Sequence, residues 1–306
     1  MIKIGYKFYL RHLRFEPYPG WPHLSFWQEG YSKEIDWPKI SIITPSFNQS
    51  EFLENTILSV LNQKYPNLEY IIIDGGSRDG SVEIIKKYED KIHYWVSEED
   101  KGQSHAINKG VDKATGDWVA WINSDDYYLP NALKKVMLYG GNKLEENWLV
   151  ANTYIQQKLF LCLSVRRKFT AQFNNVSYFN ARDLPASWID FVCFRWSGIV
   201  LPQPSSFWRK YAWENVGGLD EKFHFAMDHE FYGRLAYSGS RPKLIDKFIS
   251  VFQRHRSQKT SLENPFLPDE IMEVEKWLKK PLSKDDKKIL EKYSNFLLGI
   301  SRKKSD

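Results

Sequence analysis

The stretch from residue 40 to 122 alternates short apolar, β-branched runs with helical patterns, and this alternation narrows the fold more than any other feature. "ISIIT", residues 40 to 44, reads as a strand that Pro45 ends. Leu53, Ile57, Val60 and Leu61 then recur at spacings of three and four, the period of one helix face. The isoleucine run at 71 to 73 in "NLEYIIID" reads as a strand buried on both faces. "GGSRDGS" makes a glycine-rich turn, and residues 82 to 88 a short helix. "IHYWV" supplies a third strand, residues 104 to 110 a helix, and "DWVAWI" a fourth strand. This βαβαβ order predicts an α/β fold: a Rossmann-like, mostly parallel sheet with flanking helices.

In such sheets ligands bind beyond the carboxyl ends of the strands. Ser46 and Asn48 follow strand one, and Asp74 ends strand two. Glu98, Glu99 and Asp100 follow strand three; Asn123, Asp125 and Asp126 follow strand four. Polar residues at four successive exits predict a site along one edge. "NSDD" sets two carboxylates side by side, and like charges resist desolvation together. Either they face water at a turn or a cation sits between them. Two close carboxylates with an amide suit a hard divalent ion, Mg2+ or Mn2+, which usually arrives with phosphate oxygens. The dinucleotide glycine triplet is missing from "TPSFNQSEF", and no GxxxxGK[ST] loop occurs. "DGGSRDG" puts Gly76 and Arg78 where a calcium loop needs oxygen ligands.

The 306 residues allow one large α/β domain or two smaller ones. A net charge of +5 suits an anionic ligand or surface but falls short of a nucleic-acid signature. Cys162 and Cys193 form neither a metal spacing nor a disulfide framework, which fits a reducing compartment. No signal peptide is read at the N-terminus, and no apolar run approaches the roughly 18 residues of a membrane span. The expectation is a soluble cytoplasmic protein, at most peripheral at the inner membrane face. Residues 1–38 mix lysine, arginine and aromatic residues with Pro17, Pro19 and Pro22. They read either as a basic aromatic arm for an anionic membrane surface or as an extension packed on the main domain. The missing amphipathic period favours the second.

Three segments in order, "ISIITPSFNQSEFLENTILSVLNQKYPNLEYIIIDGGSRDGS", "SEEDKGQSHAINKG" and "ATGDWVAWINSDDYYLP", resemble glycosyltransferase family 2 enzymes of the GT-A fold. The resemblance implies a GT-A domain over 39–260, with a nucleotide-sugar half (39–130) and an acceptor half (131–260), followed by a helical segment (261–306). It further implies a nucleotide-sugar donor, with UDP expected, Mn2+ or Mg2+, and inverting transfer to a glycan or lipid-linked acceptor in surface polysaccharide synthesis. Pro45 and Ser46 match the segment against the nucleobase. Asp74 matches the acid that bonds the base, although Gly75 stands where many members carry a second acid. Asp100 matches an acid near the ribose and donor sugar. "NSDD" takes the place of the Asp-x-Asp signature: Asn123 replaces its first acid, Asp125 is the metal ligand, and Asp126 acts through water or holds the donor sugar.

"HFAMDHEFYGRLA" resembles the family's catalytic-base segment, with Asp228 at the matching place. An acid opening a helix is also favoured by the helix dipole, so an N-cap is the structural alternative. Glu230 and Arg234 are spaced to pair on one helix face, and Met227 and Phe231 read as core. In "PQPSSFWRK", Gln203 and Ser205 are candidates for sugar hydroxyls and Trp208 reads as core. In "FQRHRSQKTS", His255 is a metal or phosphate ligand, with Arg256 and Lys259 as phosphate partners; a solvated basic loop is the alternative. Residues 269 to 300 read as two helices without chemistry. Two other functions fit less well. A nucleotidyltransferase would carry a basic glycine-rich loop after strand one. A non-catalytic sugar-binding protein is suggested only by Asn123 and Gly75.

Overall fold

Parallel strands β1 (Ile40–Ser46), β2 (Leu68–Asp74), β3 (Tyr94–Ser97) and β4 (Trp118–Trp121) form one half of the sheet, in the order β3-β2-β1-β4. The computed structural model describes residues 29–162, 170–179, 201–240, 242–255, 258–259, 269–270 and 272–274, with backbone pairing alone for 157–162 and 170–179. Beyond β4 the sheet continues through β8 (Ser206–Arg209), β6 (Trp148–Cys162), β9 (Lys243–Arg254) and β5 (Tyr127–Tyr128), with β7 (Thr170–Phe179) on β6. The expected parallel pairing holds for the first half. In the second half β4/β8, β8/β6, β6/β7 and β9/β5 are antiparallel, and β6/β9 is parallel.

Both faces of the parallel half are covered. Ile43, Ile71, Ile73, Val119 and Trp121 share one core with Ala106, Ile107 and Val111 of α3 (Gln103–Lys113). Trp213 of α5 (Lys210–Asn215) and Phe231, Tyr232 and Leu235 of α6 (Met227–Tyr237) complete that layer. Ile40, Ile42, Tyr70, Ile72, Trp118 and Ala120 point the other way. They meet Leu53, Ile57 and Val60 of α1 (Ser50–Leu61), Ile85 of α2 (Ser81–Lys87) and Leu133 of α4 (Ala132–Val136). The period of two sends neighbouring isoleucines to opposite layers, and each buried one contributes about 1.5–3 kcal/mol of transfer free energy.

Pro45 does not end β1, contrary to the sequence reading. It pairs with Ile73 of β2, and Ser46 with Asp74. The ladder to β4 stops at Ile43, so among the described residues one side of Pro45 lacks a strand neighbour and a missing N–H is tolerated as at an edge. The exits of β1 and β2 are thereby carried one step further towards the site.

Of the N-terminal stretch, residues 29–38 pack on the domain. Trp37 is buried against Tyr31 and Tyr65, with ring centroids 5.0 and 5.8 Å away. Residues 1–28, which carry most of the basic aromatic arm, lie outside the described residues, as does most of 261–306.

Candidate active site

The site begins at the exits of β1 and β2. Pro45 and Ser46 are buried, and among the described residues the Ser46 hydroxyl has no hydrogen-bond partner. An orphaned buried hydroxyl costs about 1–3 kcal/mol unless a ligand satisfies it. Asp74 is fully buried and its carboxylate is well occupied. It accepts the Ser77 N–H (2.8 Å), the Gly76 N–H (3.1 Å) and the hydroxyls of Ser77 (2.6 Å) and Ser97 (2.7 Å). Asp74 thus knits the turn after β2 to the end of β3, and Gly76 takes the positive φ (81°) that this turn needs.

At the exit of β4 the two adjacent carboxylates diverge. Thr56 Oγ1 of α1 lies 2.9 Å from the Ser124 carbonyl oxygen and 2.6 Å from that of Asp126, pinning the loop. Asp126 turns inward, buried, and accepts the Gln253 N–H at 3.0 Å and Asn123 Nδ2 at 3.4 Å. Burial pushes its carboxyl well above the ordinary carboxylate range, and the Asp125 charge pushes it further. Asp125 turns to the groove, where its Oδ2 meets His255 Nε2 at 3.0 Å. Gln253 Nε2 donates to the Asp125 carbonyl at 2.6 Å, and the His255 ring stacks on Phe52 with centroids 4.3 Å apart. The end of β9 is therefore stitched across the exit of β4.

Asn123 and Gln203 adjoin this pair. Gln203 Nε2 donates to the Trp121 carbonyl (2.7 Å), and Asn123 Nδ2 lies 3.2 Å from Gln203 Oε1. Ser205 differs from its expected place facing sugar: it is buried, donating to the Asn152 carbonyl and clustered with Thr153 and Ser250. Trp208, Met227 and Phe231 are core, as expected.

Asp228 lies in the first turn of α6, but it is not the cap. Ala226 holds the cap position, and Asp228 Oδ1 accepts the His229 N–H at 2.8 Å. The N–H groups of His224, Phe225 and Ala226 are instead taken by the Glu270 carboxylate, at 2.9, 2.7 and 2.9 Å. Sequence reasoning missed Glu270, because nothing local marks an acid more than forty residues downstream as a partner. Burial pushes the Asp228 carboxyl above its usual value; the positive field of His229, backbone N–H bonds and Lys259 oppose it. Glu230 and Arg234 form the expected pair, doubly bonded at 2.6 and 2.7 Å, and Arg234 also donates to the Gly218 carbonyl at 2.6 Å.

Ser104 joins α3 to this segment, its hydroxyl 3.0 Å from both the Phe223 carbonyl oxygen and Met227 Sδ. Lys259 Nζ donates to Gln103 Oε1 at 3.2 Å. Lys259 is exposed at the surface, yet the protein packed around it lowers its pKa, against the charges of Glu270, Asp228 and Asp100, which raise it. Asp125 and His255 are thus in direct contact with Asp126 adjacent in the chain, and Lys259 lies near enough to Asp100 and Asp228 for their charges to act on it. Arg256 lies outside the described residues. Among the described residues no group of three or more His, Cys, Asp or Glu could hold a metal ion, and Asp125 and His255 stand as a contacting pair. Among them too, no helix is long and apolar enough to cross a membrane.

The family model described as "Glycosyl transferase family 2" matches residues 41–183. An uncharacterized glycosyltransferase of Mycobacterium tuberculosis is 30% identical over 209 residues, spanning 65% of this chain and 69% of that protein. The chain belongs to glycosyltransferase family 2. TuaG of Bacillus subtilis, whose given name places it in teichuronic acid biosynthesis, is 41% identical over 101 residues, 32% of this chain. The chain spans only 40% of TuaG's length. Among solved structures, Staphylococcus aureus TarS 1-349 in complex with UDP-GlcNAc shares the fold, with a TM-score of 0.58 at 17% identity. That match covers 84% of this chain and 72% of TarS 1-349, and it carries the GT-A fold.

One departure from the family 2 pattern falls where the space is already taken. A Cβ at Gly75 would sit 2.8 Å from Asp100 Oδ2 and 3.3 Å from a Phe47 ring carbon. In this chain Asp100, held by the Gly102 N–H at 2.7 Å, occupies the space that a side chain at 75 would need.

Proposed function

We propose that this chain is an inverting glycosyltransferase that takes a sugar from a nucleoside-diphosphate sugar, with UDP as the expected nucleotide, to a hydroxyl of a surface glycan or lipid-linked acceptor. The observation that carries the reading is the 3.0 Å approach of Asp125 Oδ2 and His255 Nε2 at the exit of β4. A carboxylate oxygen and an imidazole nitrogen brought together this way are donors that would hold a divalent ion, Mn2+ or Mg2+. Such an ion supplies positive charge to the departing diphosphate.

The chain's own residues do the rest. The orphaned Ser46 hydroxyl and Pro45 face the nucleobase, and Asp74 holds the turn that shapes that pocket. Asp100 meets the ribose and donor sugar, while the buried Asp126 braces the loop that carries Asp125; Lys259 meets the phosphates, and Arg256 is a second candidate for them from the sequence. Asp228 takes the proton of the acceptor hydroxyl as its oxygen bonds to the anomeric carbon. The bond from that carbon to the diphosphate breaks on the opposite face, so the centre inverts and no covalent sugar-enzyme step is needed. TuaG's teichuronic acid name and the UDP-GlcNAc held by TarS support this acceptor class and donor class.

The test is incubation with a panel of nucleotide sugars and Mn2+. Release of nucleoside diphosphate is expected. Release of pyrophosphate would instead indicate nucleotidyl transfer, and no turnover together with sugar binding would indicate a non-catalytic protein.

A further inference from the structure

Asn123 stands where the family 2 signature carries its first acid, and both ends of its amide are engaged. Its Oδ1 accepts from Gln103 Nε2 at 2.7 Å, and its Nδ2 donates to Gln203 Oε1 at 3.2 Å. Gln203 Nε2 donates in turn to the Trp121 carbonyl at 2.7 Å, while Gln103 Oε1 accepts from Lys259 Nζ at 3.2 Å. These bonds make one continuous chain: Lys259, Gln103, Asn123, Gln203, Trp121 carbonyl.

The two ends fix its direction. A backbone carbonyl only accepts, so Gln203 must present Nε2 to it and Oε1 to Asn123. Asn123 must then present Nδ2 to Gln203 and Oδ1 to Gln103. An ammonium only donates, so Gln103 must present Oε1 to Lys259, which agrees. Every amide is oriented the same way, and aligned hydrogen bonds polarise one another. An aspartate at 123 breaks the sequence at its centre. It has no N–H for Gln203 Oε1, and its second oxygen would face Asp126 Oδ2 where Asn123 Nδ2 now stands at 3.4 Å. That would place a third carboxylate beside a buried acid.

We propose that Asn123 is a positioning residue rather than a weakened metal ligand: it carries an oriented amide chain from strand β4 that fixes Lys259 in the groove to meet the donor's diphosphate. The inference rests on the glycosyltransferase reading and explains why an amide, not a carboxylate, occupies this place. On that reading Asp125 and His255 would hold the metal without it.

The experiment compares wild type, Asn123→Asp, Lys259→Ala and the double variant. UDP and GDP binding is measured by calorimetry with and without Mn2+, and stability by urea denaturation without ligand. Each single variant is expected to weaken Mn2+-dependent nucleotide binding about tenfold, which is about 1.4 kcal/mol. The double variant is expected to be no weaker than the worse single one, because both break the same chain. Gln103→Ala, on the half-buried rim, should reproduce the effect if Asn123→Asp folds poorly. Tighter Mn2+-dependent binding by Asn123→Asp would overturn the inference, since a restored metal ligand does that. Fully multiplying binding losses and fully additive stability losses would also overturn it. If wild type binds neither nucleotide with Mn2+, the proposed metal-dependent donor reading falls and the donor role of the amide chain with it. The ligand-free stability cycle then still reports separately whether the amide chain couples its two ends.

Discussion

Asp125 and His255, 130 positions apart in the chain, meet side chain to side chain at 3.0 Å across the exits of β4 and β9. β9 returns antiparallel to β5, the strand just after Asp126, and places His255 just past its own end. Asp126, the immediate neighbour, points the other way into the core. Two adjacent acids thus have different environments: one takes part in the groove, and the other braces it.

Asp228 is the proposed base, so Asp228→Asn should lower transfer about a thousandfold, within the usual range for a lost general base, while Mn2+-dependent nucleotide binding stays near wild type. Burial raises its pKa, and the base must be ionised. The acid limb of the kcat/KM profile should therefore lie above the ordinary carboxylate value of 3.8. A limb at or below that value would remove Asp228 from the role.

Asp126 binds its proton more tightly folded than unfolded. Between the unfolded value and the raised folded one, the native state holds more protons, so stability falls as pH rises through that window. Metal-free protein should gain stability on mild acidification, and Asp126→Asn should remove this gain. Urea titrations from pH 4 to 7 on both proteins check the slope.

Gly75→Asp would restore the acid common in the family, yet it should weaken nucleotide binding here. The new side chain would start 2.8 Å from Asp100 Oδ2 and add a like charge. A loss of about tenfold in UDP affinity is expected, measured by calorimetry. Gly75→Ala should show a smaller loss from the same contact.

Arg234→Ala should cost about 3 kcal/mol in urea denaturation, because it leaves Glu230, whose side chain is 1% exposed, without its cation. It also releases the Gly218 carbonyl that holds the turn before the Asp228 segment. Arg234→Lys should recover only part, since an ammonium cannot span both Glu230 oxygens and the carbonyl in one plane.

The parallel half of the sheet was legible because its strands are dense β-branched runs between helices of clear period. Pro45 misled, since a lone sequence does not show that the neighbouring strand has already ended on one side. β6 and β9 were not legible: "WLVANTYIQQKLFLC" mixes polar and apolar residues without strict alternation, and its partners come from distant segments. In the site, the carboxylates at strand exits followed from sheet topology alone. The roles of His255 and Asp228 came from the family resemblance, not from periodicity. Glu270 and the orientation of Gln103, Asn123 and Gln203 depend on contacts across the fold that no local pattern encodes.

The central claim is that Asp125 and His255 hold a divalent cation for a nucleoside diphosphate. Calorimetry of UDP and GDP with Mn2+ on wild type, Asp125→Ala and His255→Ala tests it most directly. Binding that requires Mn2+ in wild type and weakens at least tenfold in both variants is expected. Nucleotide binding that is equally tight without Mn2+, or unchanged in Asp125→Ala, would contradict it.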